Sequence, residues 1–342
     1  MGRAVSCTNI RAEESSKTSR TIIHRPGFSM RRQLRKAFDV LISAIPSPLL
    51  KGLLKTFHNH PDLAERAGFQ VYPKVFYSPF PDPAMVDVPQ LREKRMLSGV
   101  HIDTAHALAL LDQLCRFANE MDQFPRENAG QSIAWSHTYP SFDSATLYAM
   151  LRYLKPRRYI EVGCGWSSRA SSAALMRNRN EGTGCESLYI EPYPTSHLME
   201  IKLPGEFLKQ EVQHVPLEHF QRLEPGDVLF IDTSHVIKVQ NDVEHEFLRI
   251  LPSLRAGVNV HVHDIFTPYD YPEEWLVGDG TNRGGNNEQY ALECLLSGGS
   301  DWEVILPVYL LWREYRAELD KLLPGTTDRP AAFWIRKART IE

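Results

Sequence analysis

Four apolar runs in this chain stop at residues able to do chemistry. The first is Tyr159-Ile160-Glu161-Val162-Gly163-Cys164-Gly165-Trp166-Ser167-Ser168. Ile160 and Val162 supply a β-branched strand, and the two glycines supply a turn. Ser167 and Ser168 can cap a helix that starts near Ala170. Glycines in such a turn let a ligand approach the backbone closely. Glu161 selects the ligand. A carboxylate two residues before the first glycine repels a diphosphate and attracts a cationic amino group. The dinucleotide fingerprint G-x-G-x-x-G also needs a third glycine, and Ser168 stands there instead.

The second run, Leu188-Tyr189-Ile190-Glu191, ends in an acid that can accept both hydroxyls of a ribose. The third, Asp227 to Ile231, ends at Asp232, with His235 three residues on. The fourth is Asn259-Val260-His261-Val262-His263-Asp264. Strand alternation puts His261 and His263 on one face. His261 reads as structural. Asp232 and Asp264, at the ends of adjacent strands, can hold a hard divalent cation through oxygen. Such a cation would lower the pKa of a bound hydroxyl. Alternatively, His235 or His263 takes the proton directly.

Strand and helix patterns alternate from Tyr159 onward. Strands are expected at 159–163, 187–192, 212–215, 227–232, 259–264, 302–310 and 331–337. Helices are expected at 168–178, 195–202, 240–251 and 286–297. That alternation implies an α/β fold with a mostly parallel sheet and helices on both faces. Two further helices, 104–121 and Ser141 to Leu154, precede it. The run Phe266 to Trp275 reads as a substrate-facing loop or lid, with Asn287 and Glu288 as candidate substrate contacts.

The pattern E-x-G-x-G-x-S resembles motif I of class I S-adenosylmethionine (SAM) methyltransferases. The strand-end acids resemble those of metal-dependent catechol-type O-methyltransferases and, more closely, bacterial macrocin-type sugar O-methyltransferases. The likeness runs from about Phe142 to Trp334. It implies a Rossmann-like, seven-stranded sheet in the order 3-2-1-4-5-7-6, with strand 7 antiparallel. It implies SAM as cofactor, bound by Glu161, Gly163, Gly165, Ser167, Glu191 and Asp232, with adenine near Pro216-Leu217-Glu218. It implies Mg2+ or another divalent cation at Asp232 and Asp264. Where the catechol type has a third ligand, an asparagine, this chain has Ile265. His235 takes the place of that type's lysine base, and His263 and Asp264 complete the catalytic candidates. The implied reaction is O-methylation of a small hydroxylated molecule, a sugar or a secondary metabolite. The alternatives are a different, hydroxylase-like reaction in the same cleft and an inactive binding scaffold.

Composition bounds the partners. The 342 residues carry 39 basic and 42 acidic side chains, a formal charge of −3. Nothing in that balance calls for nucleic acid or an anionic membrane. No apolar run approaches the roughly 18 residues that span a bilayer. Five scattered cysteines fit a reducing, cytoplasmic setting. Residues 1–29 read as a disordered tail that opens on an N-myristoylation pattern. Residues 30–140 read as a helical and extended cap that selects the acceptor, and 141–342 as the SAM-binding domain. Met30 to Leu54 reads as short helices broken at Pro46 and Pro48. A homo-oligomer is compatible with this organisation.

Overall fold

The computed structural model describes residues 41–78, 80–121, 139–277, 285–299 and 301–339. The readings of residues 1–29, and of the helix opening at Met30, lie outside the described residues. The chain divides into two compact units, Met1–Ser78 and Pro79–Glu342.

The described part of the first unit contains helices α1 (Ser47–Asn59) and α2 (Pro61–Glu65). The break expected at Pro46 is present: residues 41–43 are helical, the chain leaves the helix at 44–46, and α1 starts directly after Pro46. Pro46 precedes α1 and Pro48 lies in its first turn, where a missing N–H costs nothing. A further interruption is at His60, whose non-helical backbone precedes Pro61.

In the second unit, helices α3 (Thr104–Cys115) and α4 (Ser141–Leu154) lead into strand β1 (Arg158–Val162). There follow α5 (Ser167–Asn180), β2 (Glu186–Ile190), β3 (Glu206–Leu208) and β4 (Val228–Ile231). Helix α6 (Asp242–His245) runs into a π-turn at Glu246–Ile250, and then comes β5 (Asn259–Val262). Helix α7 (Glu288–Ser297), β6 (Trp302–Pro307), α8 (Val308–Glu314) and β7 (Phe333–Lys337) complete the order.

The seven strands form one sheet in the order β3-β2-β1-β4-β5-β7-β6. β1 pairs in parallel with β2 and β4, and β7 runs antiparallel to β5 and β6. This is the Rossmann-like sheet the resemblance implied. Side chains alternate between its faces. Tyr159, Tyr189 and Phe230 meet α4 and α5, whereas Ile160, Val162, Ile231 and Val260 pack with Phe247, Ile250 and Leu292.

Two expected elements moved. The third strand lies at Glu206–Leu208, and the run expected at 212–215 forms a 3₁₀ turn, Val212–His214. The segment after β5 is not a loose lid. Phe266, Tyr269, Tyr271 and Leu276 are buried in an apolar cluster with Tyr309, Leu310 and Ala331. Its aromatic residues supply packing area, and Asp270, Tyr271 and Leu276 also line a cavity.

The sheet order reverses direction between β1 and β4, and there the backbones after the two strands lie close together. Gly163 has φ +81°, and a Cβ on it would lie 1.7 Å from the carbonyl oxygen of Asp232. Gly165 has open space around it. Gly163→Ala should therefore cost about 2 kcal/mol or more of folding stability, and Gly165→Ala should stay within about 0.5 kcal/mol. Urea unfolding of both variants checks this. Equal losses would contradict it.

Candidate active site

A cavity of about 410 Å³ opens at the carboxyl ends of β1, β2 and β4. That is the switch point where open α/β sheets bind ligands. Gly163, Glu191 and Asp232 line it. The Glu191 carboxylate joins two segments of the wall. One oxygen accepts the Cys164 N–H at 3.2 Å, and the other accepts the Tyr193 N–H at 2.7 Å.

Glu161, Gly165 and Ser167 lie behind that wall. Glu161 is fully buried. Its carboxylate accepts hydroxyls from Ser167 (2.9 Å), Ser168 (2.6 Å), Ser171 (2.6 Å) and Tyr159 (2.8 Å). Burial raises its pKa, and the hydroxyls oppose the rise. Four donors occupy the oxygens that a direct hold on a ligand's ammonium group would need. The Gly165 N–H donates to Ser168 Oγ within the turn that leads into α5. The residues expected at an adenine, 216–218, are also absent from the wall. Because β3 ends early, Glu211, Val212 and Gln213 reach the cavity instead.

Beside the cavity, the ends of β4 and β5 bring Asp232, His235, His263 and Asp264 together. His235 Nε2 lies 3.2 Å from Asp232 Oδ1 and 3.4 Å from Asp264 Oδ2. His263 Nδ1 lies 3.4 Å from Asp232 and 3.5 Å from Asp264. Each ring is held from behind by a buried acid. His235 Nδ1 pairs with Glu288 Oε2 at 2.9 Å, and His263 Nε2 with Asp143 Oδ2 at 3.1 Å. Asp143 also accepts the N–H groups of Ala331 and Ala332. Tyr139 lies against the His263 ring, with centroids 4.7 Å apart.

His235 and Asp264 both have left-handed backbone, with φ +57° and +58°. Such strain persists only when its surroundings over-determine it. At His235 they do, because its carbonyl accepts the N–H groups of Asn287 and Glu288.

The charges follow from this arrangement. Burial disfavours a charged imidazole, but the facing carboxylates outweigh it. Both His235 and His263 are therefore held well above the ordinary histidine pKa. Asp232 is driven the other way. Burial would raise it, yet the two rings lower it far below the carboxylate range. Burial raises Asp143 and Glu288. His261 differs from its neighbour. It is fully buried, stacked on Phe230 with centroids 4.4 Å apart, and held well below the ordinary value by burial and the nearby His263. It is a structural ring, as expected from the sequence.

The residues do not fit the all-oxygen metal centre implied by the resemblance. Imidazole nitrogens occupy the space between Asp232 and Asp264, and the third ligand position holds the buried, apolar Ile265. Among the described residues, no group of three or more His, Cys, Asp or Glu is placed to hold a metal ion. The rings supply the positive charge that the acids need.

Sequence reasoning missed Asp143, and it read Glu288 as a substrate contact rather than the partner of His235. Asp143 stands 120 residues from His263, in the first turn of a helix. No local pattern marks it.

Residues 160–265 match a family described as a methyltransferase domain. An uncharacterized protein of Archaeoglobus fulgidus is 26% identical over 164 residues, covering 44% of this chain and 73% of that protein. Two solved structures are similar. The O-methyltransferase TomG from Streptomyces achromogenes, in complex with SAM, is 16% identical, with a TM-score of 0.35 over 70% of this chain and 92% of that one. MycE, a methyltransferase of the mycinamycin biosynthetic pathway, in complex with Mg and SAH, is 15% identical, with a TM-score of 0.33 over 66% of this chain and 55% of that one. The matched segment runs from within β1 to just past β5 and contains Glu161, Glu191, Asp232, His235 and Asp264. This protein is a methyltransferase built on a Rossmann-like sheet.

The imidazole–carboxylate pairs predict a pH dependence of stability. The folded-state values of His235 and His263 lie above the unfolded value of about 6.5. Their stabilisation is therefore complete below that pH and is lost as pH rises through the higher folded values. Urea midpoints should fall as pH rises above about 6.5 in the wild type. The double variant His235→Gln/His263→Gln should fall less steeply. Parallel curves would contradict the pairing.

Proposed function

We propose that this protein transfers the methyl group of SAM to a hydroxyl oxygen of a small hydroxylated molecule, a sugar or a secondary metabolite. The observation that carries the reading is the placement of His235. Its Nε2 lies 3.2 Å from Asp232, which lines the cavity together with Gly163 and Glu191. Gly163 allows close approach, and Glu191 supplies two oxygens suited to ribose hydroxyls.

Transfer of a methyl from sulfonium to oxygen is a displacement. The acceptor oxygen attacks the methyl carbon as the sulfur–carbon bond breaks. Alignment provides much of the rate. The hydroxyl proton must also leave, and His235 Nε2 is the base proposed to take it. Glu288 fixes the ring, and Asp232 and Asp264 stabilise the imidazolium formed. His263, anchored by Asp143, holds the two aspartates in place. The raised pKa of His235 has a consequence. The ring is a strong base, active only in its neutral form.

A second cavity, of about 470 Å³, suits the acceptor. Its wall combines Gln90, Arg95, Asp270, Asn287 and Tyr290 with apolar Leu91, Tyr271 and Leu276. A wall that mixes hydrogen-bonding side chains with apolar ones matches a hydroxylated molecule. Asn287 links this cavity to the base, since its N–H donates to the His235 carbonyl at 3.0 Å.

Incubation with SAM and a panel of sugar-like and phenolic acceptors, read by product mass, tests the reaction. A gain of one methyl is expected. His235→Ala should lower kcat about 10²–10⁴-fold while leaving SAM affinity near its wild-type value. In the wild type, kcat/KM should rise with pH through an apparent pKa above about 6.5. An undiminished rate in His235→Ala would exclude His235 as the base.

A further inference from the structure

Behind His235 lies a second buried acid. Glu246 opens the π-turn after α6 and is fully buried. π-turns inside α-helices are frequent at functional sites. One of its oxygens accepts the Thr233 hydroxyl at 3.1 Å, one residue beyond Asp232. The other, Oε1, is buried with no hydrogen-bond partner. Glu288, 1% exposed, shares this condition. Its Oε2 holds His235, and its Oε1 is buried without a partner.

We propose that Glu246 is a positioning residue that stays neutral, holding the proton that the buried Glu246–Glu288 pair must carry and leaving Glu288 as the single carboxylate that orients His235. This rests on the reading of His235 as the base.

An isolated buried carboxylate costs so much that it takes a proton instead. Glu246 has a hydroxyl partner and no salt bridge to Arg, Lys or His at 4.0 Å or closer among the described residues. Glu288 faces the His235 ring directly, so the pair's negative charge belongs there. The charged groups acting on Glu246 are Glu288, Asp242 and His235. Those acting on Glu288 are His235, Asp232 and Asp264, and Tyr271 lies within range of its charge. Burial comes first and Glu288 second in holding the Glu246 carboxyl well above the ordinary value. Ionisation of Glu246 would put a second negative charge behind Glu288 and alter the charge balance at His235.

The test compares wild type with Glu246→Gln, which keeps the shape and cannot ionise. A group whose folded pKa is raised favours folding at low pH and loses that contribution as pH climbs from the unfolded value of about 4.3. The urea midpoint of Glu246→Gln should therefore gain steadily on the wild type as pH rises, with methyl transfer reduced less than about threefold at neutral pH. A gap that does not change with pH would overturn the proposal, as would a variant that loses His235-dependent activity at neutral pH while remaining folded. If Glu246→Gln does not fold, carboxyl ¹³C NMR of glutamate-labelled wild type decides. A resonance in the protonated position at neutral pH, missing from Glu246→Asp, supports it; ionised shifts for every glutamate refute it. The unfolding and NMR readouts need no turnover, so failure of the methyl-transfer reading would be seen separately.

Discussion

Two imidazoles placed among four carboxylates govern the charge at the carboxyl ends of β4 and β5. Asp232 and Asp264 would repel each other at the ends of neighbouring parallel strands. His235 and His263 stand between them, each tied from behind by Glu288 or Asp143. The cluster draws on α4, β4, β5 and the first turn of α7. Its integrity therefore depends on the sheet and on helices from both faces. The left-handed backbone at His235 and Asp264 is tolerated because this network holds it.

A parallel logic applies at Glu161. A carboxylate at the end of β1 collects hydroxyls from Tyr159 and from three serines of α5. It fastens the helix start to the strand and fixes the path of the glycine turn. Glu191 does the outward-facing work, bridging Cys164 and Tyr193 at the cavity wall. Of two acids that read alike in sequence, one holds the loop from behind and the other lines the cavity.

The sheet was legible because buried parallel strands leave β-branched runs that stop at acids and glycines. Tyr159–Gly163, Asp227–Asp232 and Asn259–Asp264 carried that signal, and with it most of the site. β3 was not legible. It is three residues long and only half-buried, so it leaves no apolar run. Glu161 was misplaced because residue type and spacing do not say which way a side chain turns. The hydroxyls that claim it come from two residues before to ten residues after it. Asp143 and the pairing of Glu288 with His235 were invisible because their partners meet only in three dimensions, 120 and 53 residues away. The divalent cation implied by likeness does not suit the donors that the fold brings together, since imidazole nitrogens fill the gap between the acids.

The most direct test of the central claim is a calorimetric titration of SAM into the wild-type chain and into Glu191→Ala. The wild type should bind with a low-micromolar Kd, about −8 kcal/mol. The variant should bind about tenfold more weakly or worse, a loss of at least about 1.4 kcal/mol, while unfolding at a similar urea concentration. No binding to the wild type, or equal affinity in both, would contradict a SAM site at this edge of the sheet.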